Sequence, residues 1–475
     1  MYRKITGFLE AWKKSEHRKP LILQGARQVG KTYSILEFGR KHYENVAYFN
    51  FETNPKLNKT FEENISPDYL IPILSHIAGV SIVREKTLIV FDEVQLCERA
   101  LTSLKYFCED APEYHIIVAG SLLGVAVNRA KFSFPVGKVD MKTLYPMDME
   151  EFMVAMGETA LADQIKKCFS TDTSLPLALH DAAMQLYRKY LVVGGMPECV
   201  MQFVETMDYI LVRHTQDTIL AGYLNDMSKY NNLNEIKKTR LAYDNITVQL
   251  SKKNTRFQYK LIKKGGRASE FENAIEWLCL SGIVSQVYRV ENIKKPLENY
   301  RDIDAFKVYV SDLGLLCAKK DLAANDILYM VEELNDFKGG MAENYANVQL
   351  TMNGYNTYYW ESDRGAEVDF VIQREGELIP IEVKSADNTR AKSLKVYMQT
   401  YKPAYKTVVY VDGQQVAKLY DKERGASTCI GADFSMDLVV TQEKGGSEER
   451  YTYSIKLPYD KDGLIINIPA LMAGL

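Results

Sequence analysis

The stretch Leu21–Thr32, L-I-L-Q-G-A-R-Q-V-G-K-T, constrains this chain more than any other. An apolar run leads into Gly25-Ala26-Arg27-Gln28-Val29-Gly30-Lys31-Thr32, a full match to G-x-x-x-x-G-K-[ST]. The spacing has a chemical reason. Glycines let successive backbone N–H groups wrap phosphate oxygens, and a helix starting near Lys31 points the positive end of its dipole at them. Lys31 is expected to pair with the β- and γ-phosphates of ATP, and Thr32 to hold Mg2+. Tyr33 follows on that helix, whose apolar pattern continues through Leu36 and Phe38.

A second run, T-L-I-V-F-D-E-V-Q (Thr87 to Gln95), reads as a buried parallel strand ending in Asp92-Glu93. Functional carboxylates sit at the carboxyl ends of such strands. Asp92 is expected to hold Mg2+ through water and Glu93 to polarise the attacking water. A third strand, Y-H-I-I-V-A-G-S, ends in Ser121, which would sense the γ-phosphate, position water or simply cap a helix. N-V-A-Y-F-N-F-E (Asn45 to Glu52) adds a further strand. Alternating strands and helices over about the first 150 residues predict a doubly wound α/β P-loop domain.

This part of the chain resembles a large family of prokaryotic AAA-type ATPases. The resemblance rests on Q-G-A-R-Q-V-G-K-T, the F-D-E strand and the turn at Gly120-Ser121-Leu122-Leu123. The family usually continues with P-G-R-V, where this chain has Pro135-Val136-Gly137-Lys138-Val139. By that resemblance Lys138 stands where an arginine senses or completes the ATP site, keeping the charge without the planar fork. L-Y-P-M-D-M-E-E-F (Leu144 to Phe152) and Y-L-V-V-G-G-M-P-E-C-V (Tyr190 to Val200) also match, and both read as structural.

With 475 residues the chain should form two to four domains. No stretch approaches the roughly 20 apolar residues of a membrane span, and the N-terminus has no apolar signal core, so a cytoplasmic protein is expected. Seven cysteines without C-x-x-C and six scattered histidines indicate neither a zinc site nor a disulfide framework. A net charge of −3 confines any nucleic-acid surface to a local patch. Such a patch lies between Lys229 and Arg267, with 11 Lys/Arg against Glu235 and Asp244. The segment closes a helical region running from about Asp163 to Lys264. The helix and strand that follow resemble a winged helix, which implies DNA contact; a solvated basic face is the alternative. Tyr230, Phe257 and Tyr259 are candidates for stacking on bases.

Farther on, E-V-D-F-V-I-Q-R-E-G-E-L-I-P-I-E-V-K reads as a β-hairpin turning at Glu375-Gly376. In that register Asp369 faces Glu382, Glu367 faces Lys384 and Arg374 faces Glu377. Two opposed carboxylates should repel. A helix precedes the hairpin, with Met341, Tyr345, Val348 and Met352 on one stripe and Glu343 beside it.

The order helix–strand–strand–strand–helix–strand resembles the PD-(D/E)XK nuclease superfamily. It also resembles the domain of unknown function that commonly follows this ATPase, through W-E-S-D-R-G-A-E-V-D-F and I-P-I-E-V-K-S. The resemblance implies that Mg2+ or Mn2+ bridges Asp369 and Glu382. Lys384 would then orient water or stabilise the reacting phosphate, and Glu343 would support the metal.

The expected fold is thus α/β with four parts. Residues 1–155 form an AAA-type P-loop domain, and 156–330 a helical, winged-helix-like region. Residues 331–425 form a restriction-endonuclease-like domain, and 426–475 a strand-rich tail. Two functions fit: an ATP-dependent enzyme acting on nucleic acid, or a nucleotide-switched binding protein whose nuclease-like domain is inactive. The expected partners are ATP, DNA or another nucleic acid, and further copies of the same chain, with no membrane.

Overall fold

The computed structural model describes residues 1–120, 134–171, 173–229, 233–250, 256–374, 376–384, 392–403, 407–410, 415–420, 427–431, 435–444 and 447–456. They divide into two compact units. The first comprises residues 1–147, 196–198 and 272–283, and the second comprises 148–195, 199–271 and the chain from 284 onward.

In the first unit, α1 (Ile5–Lys14), β1 (Leu21–Gln24), α2 (Lys31–His42), β2 (Asn45–Asn50), α3 (Leu57–Glu63), α4 (Pro67–Ala78), β3 (Thr87–Asp92), α5 (Glu98–Asp110), β4 (His115–Gly120) and β5 (Asp140–Thr143) follow one another. The strands form one sheet in the order β2-β3-β4-β1-β5, and every pair in it is parallel. Position in the sheet explains the sequence patterns. The interior strands β3 and β4 are buried at all six positions each, so both faces demand apolar side chains. β2 lies at an edge and alternates instead. Phe49, Phe51, Phe61 and Phe91 meet edge-on or tilted and fill one side of the core.

The second unit begins with helices, among them Met149–Ala155, Thr159–Ser170, Leu177–Val193, Tyr209–Lys229 and Leu233–Leu250, as the sequence leads one to expect. Its main sheet has six strands: β6 (Val284–Val290), β7 (Arg301–Val310), β8 (Tyr358–Glu361), β9 (Glu367–Arg374), β10 (Glu377–Lys384) and β11 (Thr407–Tyr410). The order is β11-β10-β9-β8-β6-β7. The β6–β7 hairpin therefore does not stand alone as a wing. β6 pairs in parallel with β8, Tyr288 opposite Tyr358, so the expected break near residue 330 falls within elements that share one sheet. Two further hairpins, Gln415–Tyr420 with Ser427–Gly431 and Ser435–Lys444 with Ser447–Lys456, follow.

The predicted hairpin register is present: Glu377 lies opposite Arg374 and Ile381 opposite Phe370. Glu375 lies outside the described residues. Pro380 is accommodated because pairing of β10 with β11 begins only at Ile381. The helix Asn335–Met352 buries Met341, Tyr345 and Val348. Asn344 fixes it to β7, accepting from Val310 N and donating to Val310 O, both at 2.8 Å.

The Gly194-Gly195 turn has a packing reason that the sequence did not reveal. Asp312, 3% exposed, accepts from Gly195 N at 2.6 Å and from Leu315 N at 2.8 Å, capping the helix Leu313–Lys319. A Cβ on Gly194 would lie 2.3 Å from Asp312 Oδ1. Asp312→Ala would strand two buried N–H groups, each costing on the order of 1–3 kcal/mol. Unfolding in urea should show a loss of about 2–4 kcal/mol.

Candidate nucleotide-binding site

β1 delivers the chain into a loop that only glycine can start. Gly25 has φ +148°, and a Cβ there would lie 2.1 Å from Leu144 O. Gln28 at φ 65° and Gly30 at φ 88° complete the curl, and α2 starts at Lys31. The α2 N-terminus turns backbone N–H groups and a positive dipole end toward the loop, the ordinary receptor for phosphate.

Lys31 is 7% exposed, and its ammonium donates to Gly25 O at 2.8 Å and Ala26 O at 2.7 Å. Behind the loop, Arg3 is 6% exposed and donates to Val29 O at 2.9 Å and Tyr145 O at 2.7 Å. Two distant segments of the same unit also touch the loop. A Cβ on Gly30 would lie 3.5 Å from Pro197 Cγ, and one on Gly282 would lie 3.0 Å from Ala26 N. Within the motif, Ala26 and Val29 are buried, Arg27 is half-buried, and Gln28 and Tyr33 are exposed.

β3 brings the acids to the loop. Thr32 Oγ1 donates to Asp92 Oδ2 at 2.8 Å, so the expected Mg2+ hydroxyl and carboxylate are adjacent. Tyr48, on the neighbouring strand β2, donates to the same oxygen at 2.8 Å. Burial, opposed by a hydrogen bond from Asn50 and reinforced by Asp92, pushes the Tyr48 phenol up to about 12, so it remains a donor. Glu93 follows β3 at φ 50°, a left-handed conformation that costs energy for a non-glycine residue. Its Oε2 accepts from Gln95 Nε2. The two oxygen-bearing groups Thr32 and Asp92 fit a hard divalent cation, and Glu93 is held separately beside them.

The structure brings the expected residues Lys31, Thr32, Asp92 and Glu93 to one place and sets Arg3, Tyr48 and Gln95 beside them, which sequence reasoning did not name. Tyr48 carried a faint signal, since it stands near the carboxyl end of a strand beside Asp92's. Arg3 carried none. Ser121 lies outside the described residues. Lys138 pairs with Glu109 on α5 at 2.9 Å.

The second expected site is built differently from the expectation. Instead of continuing the ladder to Glu382, Asp369 accepts from Val383 N at 2.6 Å. Glu367, expected to face Lys384, contacts Lys307 on β7 at 2.5 Å. The Lys307 ammonium, 3% exposed, also lies 3.5 Å from Glu343 Oε2 and 4.0 Å from Asp369 Oδ1. Burial alone would lower the Lys307 pKa, but Tyr309 and the acids Glu343, Glu367 and Asp369 outweigh it and hold it well above the usual lysine range. Burial drives the Tyr309 phenol far upward too, so at neutral pH the compensating charge is that of the carboxylates. Glu382 is 4% exposed. Among the described residues no group of three or more His, Cys, Asp and Glu is arranged to hold a metal ion. The Lys384 side chain lies outside the described residues.

The basic segment is partly committed. Lys263 pairs with Glu270 at 2.7 Å, and Arg240 donates to Ser228 Oγ at 2.8 Å. Phe257 stacks on Phe306 with centroids 5.5 Å apart, and Tyr259 meets both rings edge-on. Phe257 is a core residue, which corrects its reading as a base-stacking candidate, and Tyr259 packs half-buried against it. Lys237, Lys260, Lys264 and Arg267 are exposed. Tyr230, Lys252 and Lys253 lie outside the described residues. No helix among the described residues is long and apolar enough to cross a membrane.

Comparison with known proteins adds family matches for separate parts of the chain. Residues 184–326 match a domain of unknown function (DUF8612), 338–426 a second (DUF4143) and 386–475 a family of unknown function (DUF6672). No curated protein sequence matches the chain. Solved structures with some likeness include the Aeropyrum pernix ORC2 protein, 13% identical over 70% of this chain and 94% of that one, with a TM-score of 0.32. The Thermotoga maritima RuvB Holliday junction branch migration motor is 16% identical over 59% of this chain and 87% of that one, with a TM-score of 0.27. Cdc6p from Pyrobaculum aerophilum is 14% identical over 69% and 92%, with a TM-score of 0.22. TM-scores this low carry no conclusion about the whole chain. Residues 17–153 match the family described as AAA domain, so the glycine loop, Asp92 and Glu93 belong to an AAA-type P-loop domain.

Proposed function

We propose that this chain is a Mg2+-dependent ATPase whose nucleotide cycle acts on DNA through the second unit. The observation that carries the first half is the convergence of Lys31, Thr32, Asp92 and Glu93 at the carboxyl ends of β1 and β3. Backbone N–H groups from Gly25 to Thr32 would take the phosphates, with Lys31 balancing charge on the β/γ oxygens. Thr32 and Asp92 would hold Mg2+, which supplies charge neutralisation on the transferring phosphoryl group. Glu93 takes the proton of the attacking water, and Gln95 orients its carboxylate. Arg3 positions the loop by holding the Val29 carbonyl.

The DNA half is supported by the exposed cations Lys237, Lys260, Lys264 and Arg267 of the basic segment. Further copies of the chain remain expected partners. A second reading, a nucleotide-switched binding protein with a catalytically silent nuclease-like domain, is favoured by one observation: Lys307 lies among the acids that a metal would need.

Lys31→Ala should weaken ATP binding about 10- to 100-fold, the loss of a charged hydrogen-bond donor. Unchanged affinity by calorimetry would remove Lys31 from the site. Glu93→Gln should bind ATP normally yet hydrolyse it about 100- to 10,000-fold more slowly, because an amide cannot take the water proton. Single-turnover assays report this directly, and wild-type turnover would assign the base elsewhere. Charge reversal at Lys260, Lys264 and Arg267 together should flatten the salt dependence of DNA binding by about 0.9 in log–log slope per lost phosphate contact. Equal slopes would make the segment a solvated face.

A further inference from the structure

We infer that the buried Lys307 ammonium, rather than a divalent cation, is the counter-ion of the Glu343, Glu367 and Asp369 carboxylates. The β9–β10 region then keeps the strand order of a nuclease without a metal-dependent active site. This inference is independent of the nucleotide site, which lies in the other unit.

Three contacts place the ammonium among the acids, at 2.5 Å from Glu367, 3.5 Å from Glu343 and 4.0 Å from Asp369. The carboxylate oxygens also take this chain's own donors. Tyr309 Oη donates to Glu343 Oε2 at 3.0 Å, and Val383 N donates to Asp369 Oδ2 at 2.6 Å. The ring of Tyr359, with its centroid 5.1 Å from Lys307 Nζ, adds a favourable face for a cation. A divalent ion requires several carboxylate and water oxygens in its own shell. Here it would have to displace those donors and sit beside a fixed positive charge that is 3% exposed and so only weakly screened. Glu343, Glu367 and Asp369 are thus neutralised from within, by a residue on β7 that precedes them in the chain.

The test uses the full chain without nucleotide, carrying Asp92→Asn so that the P-loop site does not answer for the metal. After chelation, millimolar Mn2+ should leave the Tm unchanged, and plasmid DNA should stay intact. A Mn2+-dependent rise in Tm, or Mn2+-dependent nicking, that disappears on adding Asp369→Asn would overturn the inference. Lys307→Met should lower the Tm by several degrees, because it leaves buried carboxylates uncompensated. Adding Glu367→Gln to it should restore part of that loss, a coupling that independent sites would not show. A double variant no more stable than Lys307→Met would also overturn it. The Mn2+ measurement needs no substitution at Lys307, so it decides the matter even if that variant fails to fold.

Discussion

Between Gly25 and Leu144 there is no space for a side chain, since a Cβ on Gly25 would lie 2.1 Å from the Leu144 carbonyl oxygen. That approach ties the end of β1 to the segment after β5, where Leu144 N donates to Gln24 O at 2.8 Å. From there the loop's carbonyls are taken up one after another. Lys31 holds those of Gly25 and Ala26, and Arg3 holds that of Val29. With these acceptors occupied from within the protein, the curl of the loop and the start of α2 favour an anion over a cation. The candidate nucleotide site follows from this division of the backbone, with Asp92 beside Thr32 at its edge.

The second unit is organised by a buried charge instead of a loop. Taking an ammonium and several carboxylates out of water is expensive, and it is tolerated when the geometry lets each charge see its opposite. Lys307, Glu343, Glu367 and Asp369 meet that condition, with Tyr309 and Val383 N supplying hydrogen bonds. Such a cluster specifies how β7, β9 and the helix Asn335–Met352 must fit together, because shifting any one of them leaves a charge unpaired. Asn344 enforces the same fit by bonding both polar groups of Val310.

Much of the nucleotide site was legible in the sequence because its parts are local. Gly25 to Thr32 are contiguous, and the apolar run into Asp92-Glu93 announces a strand end. The hairpin register was equally legible, since a tight turn and strict alternation fix which residues face each other. Arg3 and Tyr48 were not: each reaches its partner through the fold, 26 residues away at Val29 and 44 residues away at Asp92. A lone lysine in the apolar run Ala305-Phe306-Lys307-Val308-Tyr309-Val310 hinted at a buried charge, but nothing local named its partners.

The sequence alone determined that an ATP-type phosphate loop opens the chain, that acids end a buried strand, and that Asp369 and Glu382 belong to adjoining strands. Each depends on short-range geometry: the φ that glycine allows, the period of a strand, the length of a turn. Only the tertiary structure decided that β6 and β7 join the sheet of the hairpin and that Phe257 is a core residue. It also decided that a lysine from β7 sits among the acids. These outcomes rest on contacts between residues far apart in the chain, where burial and Coulomb attraction choose the partner and no local pattern records the choice.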